Sequence, residues 1–132
     1  MSGGLDSTVL AYLLLKNNFK ISVAHVNYSL RGNESLKNEK FVRDFCKSNK
    51  LKLHLKKIRK GKLNKSIQIE ARKIRYDWFK KVLIDFNYDL ISTGHHLDDN
   101  IENILIGMFR NPSRNNLTLI PEQNKNILRP FL

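Results

Sequence analysis

Two glycines among small polar residues and one acid stand near the start of the chain, in the string Ser2-Gly3-Gly4-Leu5-Asp6-Ser7. Adjacent glycines let the backbone turn where a Cβ would clash, and they allow a phosphate to approach the main chain. The apolar stretch 8–15 predicts a helix, whose amino end offers unpaired N–H groups and a positive dipole. An acid beside phosphates calls for a bridging cation, so the string predicts a metal–nucleotide site with Asp6 as the Mg²⁺ ligand.

The alternative for this string is a plain turn in which Asp6 or Ser7 caps the helix. The string is not a Walker A loop, because no Gly-Lys-Ser/Thr follows the glycines. We favour the nucleotide loop because the full string, rather than a Gly-Gly pair alone, leads into an apolar helix.

A second group able to do chemistry is the acidic cluster Asp98, Asp99 and Glu102. Asp99 and Glu102 lie three residues apart and share a helix face, so that together they can hold an ammonium group. Capping of the helix amino end is the alternative, and it explains one acid better than three. His95 and His96 precede the cluster at the end of a predicted strand, where structural hydrogen bonding explains them as well as catalysis does.

The net charge of the chain is +12, and residues 47–81 hold 14 basic residues against two acids. Such a block predicts a polyanionic partner, with nucleic acid as the first candidate. The alternative is a solvated surface produced by a composition rich in Lys, Asn and Ile.

Other features of the composition narrow the class of protein. A length of 132 residues predicts one domain over 1–132. We expect a cytoplasmic protein, since no apolar run is long enough to span a membrane and no signal peptide is visible. The single cysteine, Cys46, excludes an internal disulfide and is predicted to lie in the core.

Strand and helix patterns alternate along the chain. Strands are predicted at 20–26, 51–55 and 90–94, helices at 34–49, 66–86 and 97–109, and the tail 111–132 is predicted to be partly irregular. His54 is expected to face outward on its strand. The alternation predicts an α/β fold with a Rossmann-like parallel sheet and helices on both faces. Such sheets bind ligands at the carboxyl ends of their strands, where His25, Val26, Gly94 and His95 fall.

A glycine loop of this kind follows a strand in such folds, whereas only Met1 precedes it here. We therefore expect that the first strand is missing and that the sequence is a fragment of a longer protein.

The loop string resembles the PP-loop of the N-type ATP pyrophosphatases. Within that superfamily, three more segments resemble motifs of the tRNA(Ile)-lysidine synthases, and the ending Arg129–Leu132 resembles their R-P-L-L. The three segments are AHVNYSLRGNES at 24–35, EARKIRY at 70–76 and TGHHLDDNIEN at 93–103. Tyr28, Asn100 and Asn103 depart from the usual His, Gln and Thr. We expect the family's C-terminal tRNA-binding domains to lie outside this sequence.

The resemblance implies an ATP-dependent ligase that joins L-lysine to C2 of the wobble cytidine in the isoleucine tRNA with a CAU anticodon. The reaction passes through an adenylated tRNA and releases AMP and pyrophosphate, with Mg²⁺ bound to Asp6. The oligomeric state is left open, with a homodimer as one alternative. The resemblance assigns Arg72 to the ATP phosphates and Asp99 and Glu102 to lysine, and with the loop pattern it supports ATP contacts from Ser2, Gly3, Gly4, Leu5, Asp6, Ser7, His25, Val26, Gly94 and His95. From the basic block we expect tRNA contacts from Lys56, Lys57, Lys60 and Lys62, and Arg31 is expected to meet tRNA or phosphate.

Two rival functions are weighed against this one. A PP-loop tRNA thiolase usually needs paired cysteines, and the chain has one. A non-catalytic nucleic-acid-binding module would use the basic block but would not need Asp6, Asp99 and Glu102 together.

Overall fold

The computed structural model describes residues 1–29, 32–58, 67–110 and 119–132, without the side chains at 67–69, 103 and 106–110. The chain divides into two compact units, Met1–Asp89 and Leu90–Leu132. The elements follow in the order α1 (Leu5–Lys16), β1 (Val23–Asn27), α2 (Asn33–Ser48), β2 (Leu53–Lys57), α3 (Ile67–Asp85), β3 (Ile91–Ser92), α4 (Leu97–Arg110), β4 (Gln123–Asn124) and β5 (Ile127–Leu128).

The first unit contains a parallel pair of strands, β1 and β2, in a register that runs from Val23↔Leu53 to Asn27↔Lys57. Helix α2 connects them, as parallel neighbours require a crossover. The α/β class with parallel strands is therefore confirmed. Each predicted helix or strand in 20–110 overlaps an observed one, with ends that differ by no more than three residues.

The face of β1 that packs on α2 changes from apolar to polar along the strand. At its start, Val23 packs with Val42 and Cys46 in the core cluster. Further along, His25 and Asn27 are also buried, and α2 places Glu39 among its buried residues. The predicted core position of Cys46 is confirmed, and burial raises the pKa of its thiol.

Two expectations about side-chain burial in this unit are wrong. The near-helical spacing of the apolar residues in 34–49 predicts Leu36 and Phe41 on the packed stripe of α2, but they are 60% and 44% exposed, and Glu39 occupies the buried stripe instead. His54 was expected to face outward, but it is buried, because the chain after α3 covers that face of β2. The Tyr88 hydroxyl lies 2.8 Å from His54 Nε2 and donates to Ser22 Oγ at 2.8 Å.

The second unit forms its own small sheet. Strand β5 pairs in parallel with β3 and antiparallel with β4. The tail thus carries two strands within 119–132, and residues 111–118 lie outside the described part. Strands of two residues are too short to show an alternating pattern, which is why the sequence predicted irregular structure there.

One buried side chain ties the tail of the second unit to α4, and another joins two parts of the tail itself. Asn100 Oδ1 accepts the Ile120 N–H at 2.6 Å, and Arg129 Nη1 donates to the Pro121 carbonyl at 2.6 Å. Both side chains are buried. Asn100, which lies between Asp99 and Glu102 of the predicted lysine site, therefore has a structural role in this unit.

In the part of the chain that the structure describes, no helix has both the length and the apolar surface needed to cross a membrane.

Candidate active site

The glycine loop, residues 2–7, is closed on itself by hydroxyl groups. The Ser2 N–H donates to Ser7 Oγ at 3.0 Å, and the Gly4 N–H donates to Ser2 Oγ at 3.2 Å. The hydroxyls of Ser7 and Thr8 both donate to the Gly4 carbonyl, at 3.1 and 2.8 Å. Gly4 is the N-cap of α1, and no side chain caps that end. Asp6 and Ser7 therefore do not make the capping bond that the plain-turn alternative assigned to them.

Gly3 holds the loop in a conformation that other residues disfavour, with φ of +97°. A Cβ at this position would lie 3.0 Å from Asn38 Cβ and 3.3 Å from Asn38 Cα. Glycine is thus needed both for the backbone angle and for the close approach to α2. The loop rests on α2 at Asn38.

Met1 lies beside β1, immediately before the glycine loop. Its backbone nitrogen donates to the Ala24 carbonyl at 2.6 Å, and its carbonyl lies 3.0 Å from His25 Nδ1. Burial lowers the pKa of His25 more than its hydrogen bond to Met1 raises it, so the ring is neutral near pH 7. A neutral ring whose Nδ1 donates to Met1 leaves Nε2 as a buried acceptor without a partner. The His25 side chain thus supports the loop from the β1–α2 interface.

A buried carboxylate, Glu39, joins the carboxyl ends of β1 and β2. Asn27 Nδ2 donates to Glu39 Oε2 at 2.7 Å, and Lys57 Nζ lies 3.0 Å from Oε1. Arg43, one turn further along α2, donates to Oε1 at 3.0 Å. Burial by itself raises the pKa of Glu39, but the hydrogen bonds from Asn27, Lys57 and Arg43 outweigh it and hold the pKa at about 2.

This carboxylate predicts an acid-sensitive contribution to stability. Because the folded pKa of Glu39 is about 2 against a usual 4.5, the contribution is complete above pH 4.5 and is lost as the pH falls towards 2. The shift corresponds to about 3 kcal/mol. We expect Glu39→Gln to lower the free energy of unfolding by about that amount at pH 7. The deficit relative to the parent should shrink when urea unfolding is repeated at pH 3, and a deficit independent of pH would contradict the assignment.

Helix α3 brings two arginines to one aromatic ring. The guanidinium carbons of Arg72 and Arg75 lie 5.1 and 5.4 Å from the centre of the Tyr76 ring. The Tyr28 hydroxyl donates to the Ala71 carbonyl at 2.9 Å, which joins the segment after β1 to the start of α3. Tyr28, which departs from the family's usual His, is therefore used to hold the helix that carries Arg72.

The acidic cluster lies at the amino end of α4 in the second unit. Asp99 Oδ2 accepts the His96 N–H at 2.7 Å, which is a helix-capping bond from the third helical residue. Asp98 has an 84% exposed side chain, and Glu102 is exposed as well. His95 Nδ1 lies 2.9 Å from Thr93 Oγ1, a structural contact. Capping thus accounts for Asp99, as the alternative allowed, while Asp98 Oδ2 lies 3.9 Å from His96 Nδ1.

The predicted site residues fall into three groups. The first group lies in the first unit and consists of the glycine loop with His25, Val26, Lys56, Lys57 and Arg72. The second group lies in the second unit and consists of Gly94, His95, Asp99 and Glu102. Arg31, Lys60 and Lys62 lie outside the described residues.

Metal-binding groups are sparse in the described part of the chain, where no three His, Cys, Asp or Glu side chains converge. Asp6 is a single exposed acid in the first turn of α1, beside the glycine turn. This donor set fits Mg²⁺, which is usually held by one or two carboxylates together with substrate phosphates and water.

Sequence reasoning missed the roles of Asn38 and Glu39. A signal for Glu39 existed, because residues 39, 42 and 46 share one face of α2 and two of them are apolar. A lone acid on such a face indicates a buried charge that needs partners.

Comparisons with known proteins identify a family and several relatives that this chain resembles in sequence. The PP-loop domain family matches residues 1–132. The chain is 34% identical to the tRNA(Ile)-lysidine synthase of Bacteroides thetaiotaomicron, 36% to that of Chlorobaculum tepidum and 38% to that of Persephonella marina. These alignments cover 98–100% of the chain but 30–42% of the relatives, so the chain spans about a third of their length.

Proposed function

Because this chain belongs to the PP-loop domain family, we propose that it is the ATP-binding part of a tRNA(Ile)-lysidine synthase. The substrates are ATP, L-lysine and the isoleucine tRNA with a CAU anticodon, and the place of action is the cytoplasm. The products are lysidine-containing tRNA, AMP and pyrophosphate.

The observation that carries this proposal is the glycine loop and the helix end behind it. The loop rests on α2 with Gly3 at φ +97°, and no side chain caps α1. Backbone N–H groups at such an end suit a phosphate chain, and fixed donors stabilise charge that develops on a leaving group. This arrangement supports a role in holding pyrophosphate as it departs. Asp6 would hold Mg²⁺, which when bound offsets the negative charge of the phosphates.

The chemistry needs two displacements. The C2 oxygen of cytosine is a poor leaving group, so it first attacks the α-phosphorus of ATP and pyrophosphate departs. The lysine amine then attacks C2, and the oxygen leaves as part of AMP. The amine must lose a proton to attack, and Asp99 and Glu102 are assigned to bind the ammonium group and accept that proton.

Two observations weigh against a thiolase. The chain holds one cysteine, Cys46, which is buried in the core cluster. Burial raises the pKa of its thiol, which keeps it protonated and unreactive.

The test uses the full-length protein with ATP, MgCl₂, labelled lysine and tRNA. We expect pyrophosphate release that requires the isoleucine tRNA with a CAU anticodon, and lysine incorporated into that tRNA but not into a methionine tRNA with the same anticodon. Binding of tRNA without any pyrophosphate release would instead favour the non-catalytic module. Light scattering on the same sample tests the homodimer.

The basic block gives a prediction about tRNA binding. Lys57 is paired with Glu39, so we spare it and replace Lys56, Lys60 and Lys62 with alanine. Phosphate contacts release counterions, so this variant should flatten the slope of log affinity against log salt by roughly two to three. Cognate and non-cognate tRNA should weaken equally, because phosphate contacts carry no sequence information.

The control for this prediction replaces three lysines outside the block, Lys16, Lys20 and Lys40, and should leave the slope nearly unchanged. Equal slopes for all three proteins would mean that the basic block is a solvated surface and that tRNA binds elsewhere.

A further inference from the structure

We propose that Glu39 is a positioning residue for the glycine loop: it fastens α2 to the carboxyl ends of β1 and β2, and so fixes the surface on which the loop rests. The inference rests on the proposed function, since it takes the ligand of the loop to be ATP.

The first step is the way in which Glu39 spans the sheet. Asn27 and Lys57 are the last residues of β1 and β2 and lie opposite each other in the register of the pair. Asn27 donates to Oε2 of Glu39 at 2.7 Å, and Lys57 Nζ lies 3.0 Å from Oε1. One carboxylate thus holds the ends of both strands, at the edge where parallel sheets bind their ligands.

The second step is the link from Glu39 to the loop. Gly3 packs against Asn38, the neighbour of Glu39 in α2. A Cβ on Gly3 would lie only 3.0 Å from Asn38 Cβ. Since there is no room for α2 to move closer, a change in the position of Asn38 must be passed on to the loop. The backbone groups assigned to the phosphates follow directly after Gly3.

The third step concerns why a charged residue is used at this point. The apolar contacts of Val42 and Cys46 hold α2 on β1, but they are non-directional and tolerate small shifts of the helix. The hydrogen bonds to Glu39 have defined lengths and directions and leave one position for the helix. Well-packed apolar side chains in place of a whole buried ion cluster are often as stable or more so, although removing one partner of the cluster is costly, so stability alone does not account for a charged residue here.

The experiment measures ATP affinity by calorimetry on the full-length protein, with MgCl₂ and without lysine or tRNA. We expect Glu39→Gln to weaken ATP binding by about tenfold or more, because small misplacements of binding groups are costly. The matched control is Val42→Ala, which removes buried methyl groups one turn further along the same face of α2. It should lower the melting temperature yet leave ATP affinity within about twofold of the parent.

A milder pair of variants covers the case in which Glu39→Gln does not fold. The Lys57 side chain is 56% exposed. Lys57→Met keeps most of its aliphatic stem and removes one charged partner of Glu39. It should weaken ATP binding by roughly threefold or more, whereas Lys40→Met on the exposed side of α2 should not.

The outcomes separate this inference from the proposed function. A parent protein that binds no ATP would overturn both. If Glu39→Gln and Lys57→Met bind ATP as tightly as the parent does, the positioning role is overturned and the proposed function stands. Loss of ATP affinity in Val42→Ala equal to that in Glu39→Gln would also overturn it, because general destabilisation would then explain both variants.

Discussion

Replacing Asp6 with alanine in the full-length protein is expected to slow pyrophosphate release by roughly 100-fold or more, because the acid assigned to Mg²⁺ is removed. Asp6 is exposed in the first turn of α1, and the N-cap of that helix is Gly4. Its loss should therefore cost the fold little, at most about 1 kcal/mol from its interaction with the helix dipole. The measurement is the rate of pyrophosphate release at saturating tRNA, together with the melting temperature.

The control for Asp6 is Asp44→Ala, which removes another exposed acid, from α2. It should leave the rate within about twofold of the parent. Higher MgCl₂ should partly restore activity to an Asp6→Asn variant, which keeps the size of the side chain but binds the cation more weakly. Normal pyrophosphate release in Asp6→Ala would remove the basis for the assignment.

Lysine affinity should respond to the two acids of α4 far more than ATP affinity does. We expect Glu102→Gln and Asp99→Asn each to weaken lysine binding by roughly 10- to 100-fold, the range for a lost hydrogen bond to a charged group. ATP affinity should change by about twofold or less. The measurement is the KM for lysine and for ATP in the complete reaction.

The capping bond of Asp99 sharpens this prediction. Asp99 Oδ2 accepts the His96 N–H, so the amide oxygen of Asp99→Asn can keep the cap while the charge is lost. Asp99→Ala loses both and should also destabilise the protein, by about 1 kcal/mol. Asp98→Asn is the control in the same turn, with an 84% exposed side chain. Equal losses of lysine and ATP affinity in Asp99→Asn would mean that this acid serves the fold or the metal.

The residues within one short stretch of sequence were the most predictable part of the site. The glycine string predicted a turn that feeds a helix, and α1 begins at Leu5. Asp99 was recognised both as a ligand candidate and as a capping residue, because a capping bond joins residues three apart on one helix. Local hydrogen bonds and helix geometry decide these features, and both can be read from spacing alone.

The long-range features depended on which faces become covered. His54 alternates with apolar neighbours as an exposed residue would, yet Phe86 and Tyr88 fold over it from 30 or more residues away. Lys57 belongs to a basic run that reads as a nucleic-acid contact, yet its ammonium is paired with Glu39. Periodicity reports which residues share a face, but not whether another segment covers that face.

The sequence by itself determined the order of helices and strands, the glycine loop and the acids available for chemistry, because these follow from backbone sterics and local spacing. Only the tertiary structure decided that Gly3 rests on Asn38, that Glu39 fastens two strand ends, and that the tail pairs with β3. Those contacts join residues 12 to 36 positions apart. A helix face can signal that Glu39 is buried, but which strand ends supply its partners depends on chain topology, which no local pattern encodes.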